Sequence, residues 1–152
     1  MNNIHRTQGM RLKTLVLILV FLLIGSIASC VVKAEEPNGY FGKYKDVSAH
    51  ARTTGETVFV IVSADWCGPC KVLKKHIKDL KTSGQLGATR FAVVDIDKER
   101  SIAKALMGSH GSVPQLLSLK WDSEKGEWRA SKIIGCPSKE YLTKWLKKEI
   151  DK

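Results

Sequence analysis

The sequence predicts an α/β domain in which a mixed central β-sheet is flanked by helices. Val58–Val62 is an unbroken run of β-branched and aromatic residues, which is typical of a central strand covered on both faces. A helical pattern follows, with apolar residues at spacings of three and four along residues 70–80. Further patterns complete the order βαβαββα, which begins with a parallel crossover and later forms a hairpin.

A segment of export type precedes this domain. An uncharged apolar run at residues 15–32 follows a basic region, as in a signal peptide. The basic residues are Arg6, Arg11 and Lys13. The positive-inside rule then predicts that the rest of the chain lies outside the cytoplasm, in the periplasm or cell envelope. We therefore expect residues 1–34 to serve export or anchoring and residues 35–152 to form the domain.

Three fates of the export segment stay open. A signal peptidase could cleave before Glu35. Residues 27–30 resemble a bacterial lipobox, which would make Cys30 the acylated first residue of a lipoprotein. The run at residues 15–32 is also long enough to cross a bilayer as an uncleaved anchor. All three fates leave the domain on the same side, and the last two predict membrane association through residues 15–32 or Cys30.

The charge of the chain does not predict nucleic-acid binding. The formal net charge is +10, from 25 basic and 15 acidic residues. Four of the basic residues belong to the export segment, which leaves 21 against 15. The lysines among them are spread over predicted helices instead of clustering with aromatic residues, so we interpret them as a solvated surface.

Local signals justify the elements of the domain one by one. The first helix ends near Gly55, and the polar residues 122–127 contain Gly126 and form a turn. Ser138 is placed to cap the last helix, in which residues 142–150 share an apolar face. In chain order we expect a helix at Tyr44–Arg52, a strand at Val58–Val62, a helix from the cysteines to near Gly84, a strand at Phe91–Ile96, a helix at Ser101–Met107, strands at Gln115–Leu119 and Trp128–Ile134, and the final helix.

Two cysteines lie where the first strand leads into its helix. Unpaired N–H groups and a partial positive charge at a helix N-terminus stabilise a thiolate. We therefore predict that Cys67, in the first turn, is the nucleophile. Cys70, on the buried stripe, would resolve the mixed disulfide that Cys67 forms with a substrate. Pro69 restricts the turn between them, and Trp66 would shield one side of the nucleophile.

Two other interpretations of the cysteine pair are weaker. A zinc site needs four ligands, usually with a second close pair of Cys or His. The remaining ligand types are scattered singly: Cys136, His50, His76 and His110. A structural staple would close so short a loop that it removes little entropy from the unfolded chain. We therefore predict a redox pair, with no metal and no cofactor.

Residues 66–71 read WCGPCK, which is similar to the complete active-site motif of the thioredoxin family. The resemblance extends over about residues 40–150. Val113-Pro114 resembles the cis-proline element of the family, and residues 134–139 resemble the start of its last helix. The resemblance implies a thioredoxin-like fold with Pro114 facing the cysteines. It also implies that the backbone at Val113 pairs with an extended substrate segment.

The predicted site therefore has a chemical part and a supporting part. Cys67 and Cys70 carry the chemistry. The residues expected to support the site or bind substrate are Trp66, Gly68, Pro69, Val113 and Pro114.

The sequence departs from the family's pattern at two positions. Thioredoxins usually carry a buried aspartate six residues before the first cysteine, where this chain has Ile61. The lysine of the neighbouring strand is also missing, because residues 93–95 read VVD. Both changes remove groups that help to deprotonate the second cysteine.

Cys136 has two interpretations. The resemblance places its loop beside the cysteine pair and Pro114, so its thiol could border the substrate groove. The interpretation that we favour is a small, half-buried apolar residue with no redox role.

The sequence thus predicts an exported protein-disulfide reductase that acts on protein disulfide substrates. In an oxidising compartment it would need electrons from a membrane-bound donor. A disulfide oxidase or isomerase using the same cysteines is an alternative. A binding or chaperone module of the same fold is another.

Overall fold

A computed structural model of the chain describes residues 41–152. The expected export segment, Cys30 and the boundary between residues 34 and 35 lie outside the described residues. No helix within residues 41–152 is both long and apolar enough to cross a membrane. The described elements are α1 (Tyr44–Thr54), β1 (Val58–Ser63), α2 (Gly68–Thr82), β2 (Phe91–Asp95), α3 (Arg100–Met107), β3 (Gln115–Asp122), β4 (Glu127–Ile134) and α4 (Lys139–Ile150).

The four described strands form one mixed sheet in the order β2-β1-β3-β4. β1 is parallel to β2 and antiparallel to β3, and β3 is antiparallel to β4. All six residues of β1 are buried, as expected for a strand with neighbours on both edges and helices on both faces. The mixed sheet with flanking helices confirms the predicted fold class.

The side chains of β1 alternate between two apolar clusters, one on each face of the sheet. The first cluster, called here the α1/α3 layer, contains Val58, Val60 and Val62 together with buried residues of α1 and α3. The second, the α2/α4 layer, contains Phe59 and Ile61 together with buried residues of α2 and α4. The helix that begins at the cysteines therefore packs on the side of Ile61.

The β3–β4 hairpin is longer than the sequence predicted. The prediction ended the third strand at Leu119, but β3 continues to Asp122. Trp121 lies opposite Trp128 in the register, with ring centroids 5.1 Å apart, and this cross-strand pair extends the ladder. Gly126 has a φ of 66° in the turn, a left-handed backbone that favours glycine.

Two helix ends lie close to where the sequence placed them. α1 runs two residues past Arg52 and is capped by Gly55, whose φ is 71°. At the start of α4, Ser138 Oγ accepts a hydrogen bond from the Tyr141 backbone N–H at 3.3 Å. This is the cap predicted for the last helix.

Candidate active site

Cys67 and Cys70 form a disulfide near the carboxyl end of β1. Their sulfur atoms are 2.00 Å apart and their Cα atoms 5.3 Å apart. β1 ends at Ser63, and residues 64–66 connect it to Cys67, the N-cap residue of α2. The structure thus brings together the two cysteines that the sequence predicted as a redox pair.

The N-terminus of α2 supplies a hydrogen bond to the Cys67 sulfur. The backbone N–H of Cys70 donates to Cys67 Sγ over 3.2 Å. After reduction, this donor and the partial charge of the helix N-terminus would favour the Cys67 thiolate over the thiol. The first turn of α2 contains no acidic residue to oppose that charge. The geometry therefore supports the assignment of Cys67 as the nucleophile.

The cysteines lie in a small apolar group of their own. Cys70 is fully buried and Cys67 is 3% exposed, and both pack with Ala64. Ile96 and Val113 pack against this group and, at the same time, against the α1/α3 layer. Because Cys67 has some exposed surface and Cys70 has none, a substrate disulfide would reach Cys67 before Cys70.

The two residues between the cysteines are exposed. Pro69 lies in the first turn of α2, where its missing N–H removes no helical hydrogen bond. A Cβ atom at Gly68 would meet no atom within 4 Å, so no contact in the described chain requires glycine there. The missing side chain leaves space beside Cys67 for a second sulfur atom to approach.

The Val113–Pro114 peptide bond is cis, as the resemblance implied. Val113 is half-buried against the cysteine group, so the chain just before β3 borders the disulfide. The carbonyl oxygen of Pro114 accepts a hydrogen bond from the Gly135 backbone N–H at 2.8 Å. No backbone hydrogen bond joins Val113 to another described residue, which leaves its N–H and C=O available to a partner.

Two long-range contacts hold the connection that precedes Cys67. Trp66 is 69% exposed, and its indole N–H donates to Asp97 Oδ2 over 3.0 Å. The neighbouring residue, Asp65, forms an ion pair with Lys98, with Nζ 2.6 Å from Oδ2. Both partners lie between β2 and α3. These contacts fix the orientation of the Trp66 ring at the rim of the site.

Lys98 also sets the charge at the rim. The hydrogen bond from its ammonium group, followed by its positive charge, holds the pKa of Asp65 below the ordinary aspartate value. Asp65 is therefore ionised over the physiological pH range, and Lys98 balances its charge. This neutralisation limits the repulsion that Asp65 would otherwise exert on a Cys67 thiolate.

Ile61 makes the core next to the site apolar. It is fully buried, and its neighbours across the sheet are Val93 of β2 and Leu116 of β3. None of these three positions carries a carboxyl or an ammonium group. They therefore supply no base for Cys70 at the place where thioredoxins usually have one.

Cys136 lies half-buried against the α2/α4 layer, and Gly135 directly before it donates its N–H to the Pro114 carbonyl oxygen. Burial raises the pKa of its thiol. It is not among the residues that pack around Cys67 and Cys70 in the described part of the chain. The packing agrees with the interpretation as an apolar residue, and the contact of Gly135 with Pro114 agrees with the loop position that the resemblance implied. A redox role for Cys136 stays a prediction.

Sequence reasoning missed three residues that shape this site: Asp97, Lys98 and Gln115. The first two act through contacts with residues 31 and 33 positions earlier in the chain, and no local pattern predicts such pairs. Gln115 gave a weak signal, because an amide directly after Pro114 interrupts an otherwise apolar strand start.

Comparison with known proteins agrees with this geometry. A family model described as thioredoxin-like matches residues 42–120. The chain belongs to the thioredoxin-like family. It is a thioredoxin-like redox protein with a Cys67–Cys70 pair at disulfide distance.

Individual relatives are moderately similar. Thioredoxin of Gallus gallus is 33% identical over 63 residues, which cover 41% of this chain and 58% of that protein, little more than half its length. Thioredoxin of Chlamydia pneumoniae is 29% identical over 91 residues, which cover 60% and 80%. The crystal structure of oxidised mitochondrial thioredoxin 3 from Saccharomyces cerevisiae has a TM-score of 0.53 and 26% identity, and the match covers 68% of this chain and 88% of that one.

Proposed function

We propose that this protein is an exported thiol–disulfide oxidoreductase that reduces disulfide bonds in protein substrates. The observation that carries the proposal is the position of Cys67 at the N-terminus of α2, with its sulfur bonded by the Cys70 N–H. An activated thiolate and a resolving thiol one turn further on are what a dithiol reductase requires.

The cycle begins with the reduced pair. The Cys67 thiolate attacks one sulfur of a substrate disulfide, a mixed disulfide forms, and the released substrate thiolate takes up a proton. Cys70 then loses its proton and attacks Cys67 Sγ, which frees the second substrate thiolate. The substrate gains two electrons from the cysteine pair and two protons, one of which balances the proton lost by Cys70 while the other comes from solvent, and the Cys67–Cys70 disulfide is restored.

Val113 supports the choice of proteins as substrates. Its unpaired backbone lies beside the disulfide, and an extended peptide can add to such a segment through main-chain hydrogen bonds. Thioredoxins act on protein disulfides, and the same substrate class fits this chain.

Reduction is the direction we propose for electron flow. Gly68 and Pro69 resemble the residues between the cysteines of the reducing family members, whose disulfides are comparatively stable. The basic region before the apolar run at residues 15–32 supports export. A reductase outside the cytoplasm needs a membrane-bound donor to return two electrons to Cys67–Cys70.

Insulin reduction driven by dithiothreitol tests the activity. The wild-type domain should accelerate the reaction, and Cys67→Ser should abolish the acceleration. Cys70→Ser should accumulate mixed disulfides with substrate, because the resolving thiol is absent. No acceleration by the wild type would favour a binding or chaperone module.

The reduction potential tests the direction. A value of about −270 mV supports a reductase, and a value of about −120 mV would indicate an oxidase.

Export is tested by fractionating cells that express the full chain, with Cys30→Ser to separate lipidation from the other two fates. Recovery of the domain in the cytoplasm would contradict the export proposal.

A further inference from the structure

Gln115 is a fully buried amide at the start of β3, directly after Pro114. Its Nε2 donates one hydrogen bond to the His110 carbonyl oxygen at 2.8 Å and a second to the Ser112 carbonyl oxygen at 3.0 Å. Because both partners are carbonyl oxygens, only the nitrogen end of the amide can face them. Gln115 therefore uses both of its N–H groups on the backbone of the preceding loop.

That loop, residues 108–113, connects α3 to β3 and borders the disulfide. Residues 108–112 are exposed, whereas Val113 packs against the cysteine group. Among the described residues, no side chain other than Gln115 donates a hydrogen bond to the backbone of residues 109–113. Gln115 is therefore the one described side chain that holds this stretch of backbone by hydrogen bonds.

The other end of the Gln115 amide is unsatisfied. Its Oε1 is buried and has no hydrogen-bond partner among the described residues. A buried acceptor without a partner opposes folding, and an apolar side chain of similar size would avoid that penalty. Burying Oε1 thus costs stability, whereas Nε2 holds the loop through its two hydrogen bonds.

We propose that Gln115 is a positioning residue, which holds residues 110–113 in the conformation that pairs with the backbone of a protein substrate. The inference rests on the proposed disulfide chemistry and adds a basis for substrate class to it. Gln115 promotes the binding of disulfides within extended peptides. Small disulfides without a peptide backbone do not need the loop and react at Cys67 independently of Gln115.

Gln115→Met tests this proposal, because it keeps a long unbranched side chain and removes both donors. With dithiothreitol as the electron source, KM for insulin should rise about fivefold to tenfold, the range expected when hydrogen bonds that order a binding segment are lost. The kcat for insulin and the rate with hydroxyethyl disulfide should stay at the wild-type values. Ser118→Ala replaces a buried polar residue of the same strand and is the matched control. It should leave KM for insulin and the rate with hydroxyethyl disulfide unchanged.

The outcomes separate the two proposals. An unchanged KM for insulin in Gln115→Met would overturn the role of Gln115. Equal losses with both disulfides would also overturn it and leave the reductase function standing, because Gln115 would then act on the disulfide itself. A wild-type protein that reduces neither compound would overturn the reductase function and this inference with it.

A measurement on the wild type covers the case in which Gln115→Met does not fold. The side-chain amide protons of Gln115 should exchange with solvent at least about a hundredfold more slowly than those of Gln85, because they are buried and bonded to two carbonyls. Gln85 is the matched reference, since its side-chain amide is exposed and donates to the Ser83 hydroxyl instead of a backbone carbonyl. Equal exchange rates would mean that the amide does not hold the loop.

Discussion

Two buried positions on the α2/α4 side of the sheet differ in polarity: one carries an apolar side chain and the other a carboxylate. Ile61, near the disulfide, packs only in the apolar α2/α4 layer. Further along the same face, the carboxylate of Glu149 on α4 is buried at 5% exposure. Ser118 Oγ donates to Glu149 Oε2 at 2.9 Å, and Lys152 Nζ lies 2.5 Å from Oε1. A buried acid occurs here where donors reach both of its oxygens.

The donors decide the charge state of Glu149. Burial alone would raise its pKa, but the hydrogen bonds from Lys152 and Ser118 and the charge of Lys152 outweigh burial and hold the pKa below the ordinary glutamate value. Position 61 has no comparable donors. The backbone around it is paired in the sheet with the strands of Val93 and Leu116, and the side chains that pack with it are apolar. An acid at position 61 would face only the desolvation penalty.

Ile61→Asp should give the largest effect on stability. It removes a fully buried apolar side chain and adds a poorly satisfied polar group, so the free energy of unfolding should fall by about 2–4 kcal/mol. Chemical denaturation at pH 7 measures this. Ile61→Val is the matched control and should lower the free energy by only about 0.5–1.5 kcal/mol. An unchanged denaturation midpoint for Ile61→Asp would contradict the burial of position 61.

The same substitution should change the rate of resolution. A carboxylate at position 61 would act as a base for Cys70 if water connects the two, so the release of substrate from the mixed disulfide should become faster near pH 7. Stopped-flow disulfide reduction follows this step separately from unfolding.

Glu149→Gln should give an intermediate effect that depends on pH. The variant keeps the shape but loses the carboxylate, so stability at pH 7 should fall by about 1–2 kcal/mol. Because the folded-state pKa of Glu149 is lowered, its contribution is present above the unfolded-state pKa, about 4.3, and is lost as pH falls through the lower folded-state value. The difference between wild type and variant should therefore shrink on acidification, as measured by denaturation from pH 7 to pH 3. A difference that is constant over this range would mean that Glu149 acts through shape alone.

Asp65→Asn should give the smallest effect, because the ion pair with Lys98 lies in solvent and exposed pairs contribute little. The denaturation midpoint should not change measurably. A stability loss as large as that of Glu149→Gln would contradict the expectation that an exposed carboxylate contributes less than a buried one. Removing the negative charge beside Cys67 should lower the pKa of its thiol, because the charge of Lys98 is then less completely offset, with Asp95 at 3.8 Å as its remaining ion-pair partner. The pH dependence of iodoacetamide alkylation of the reduced protein reports this shift.

The sequence predicted the features that local patterns determine. The apolar run at Val58–Val62, the stripe that contains Cys70 and the cap at Ser138 each depend on neighbours within a few positions. The mixed sheet and the fold class followed from the order of these elements, with a parallel crossover first and a hairpin later. Burial of Ile61 followed from its place in the central strand.

The features that the sequence did not predict depend on contacts between distant segments. Glu149 reads as one more charged residue of an amphipathic helix, and only the register of β3 brings Ser118, 31 positions away, within reach of its carboxylate. Trp66 and Asp97 meet because two loops end at the same edge of the sheet. Gln115 stands out in the sequence only weakly, as a polar residue at an apolar strand start, and the two carbonyl groups at its nitrogen come from the path of the loop.

Ile96 and Val113 pack against two groups of residues, the cysteines and the α1/α3 layer. A coupling between the redox equilibrium and the stability of that layer would run through these two shared residues. The linkage is reciprocal, so a substitution in α3 that shifts the reduction potential must change the stabilities of the oxidised and reduced forms by correspondingly different amounts. Substitutions in α1 and α3, which carry neither cysteine, would then tune the potential from the face of the sheet opposite α2.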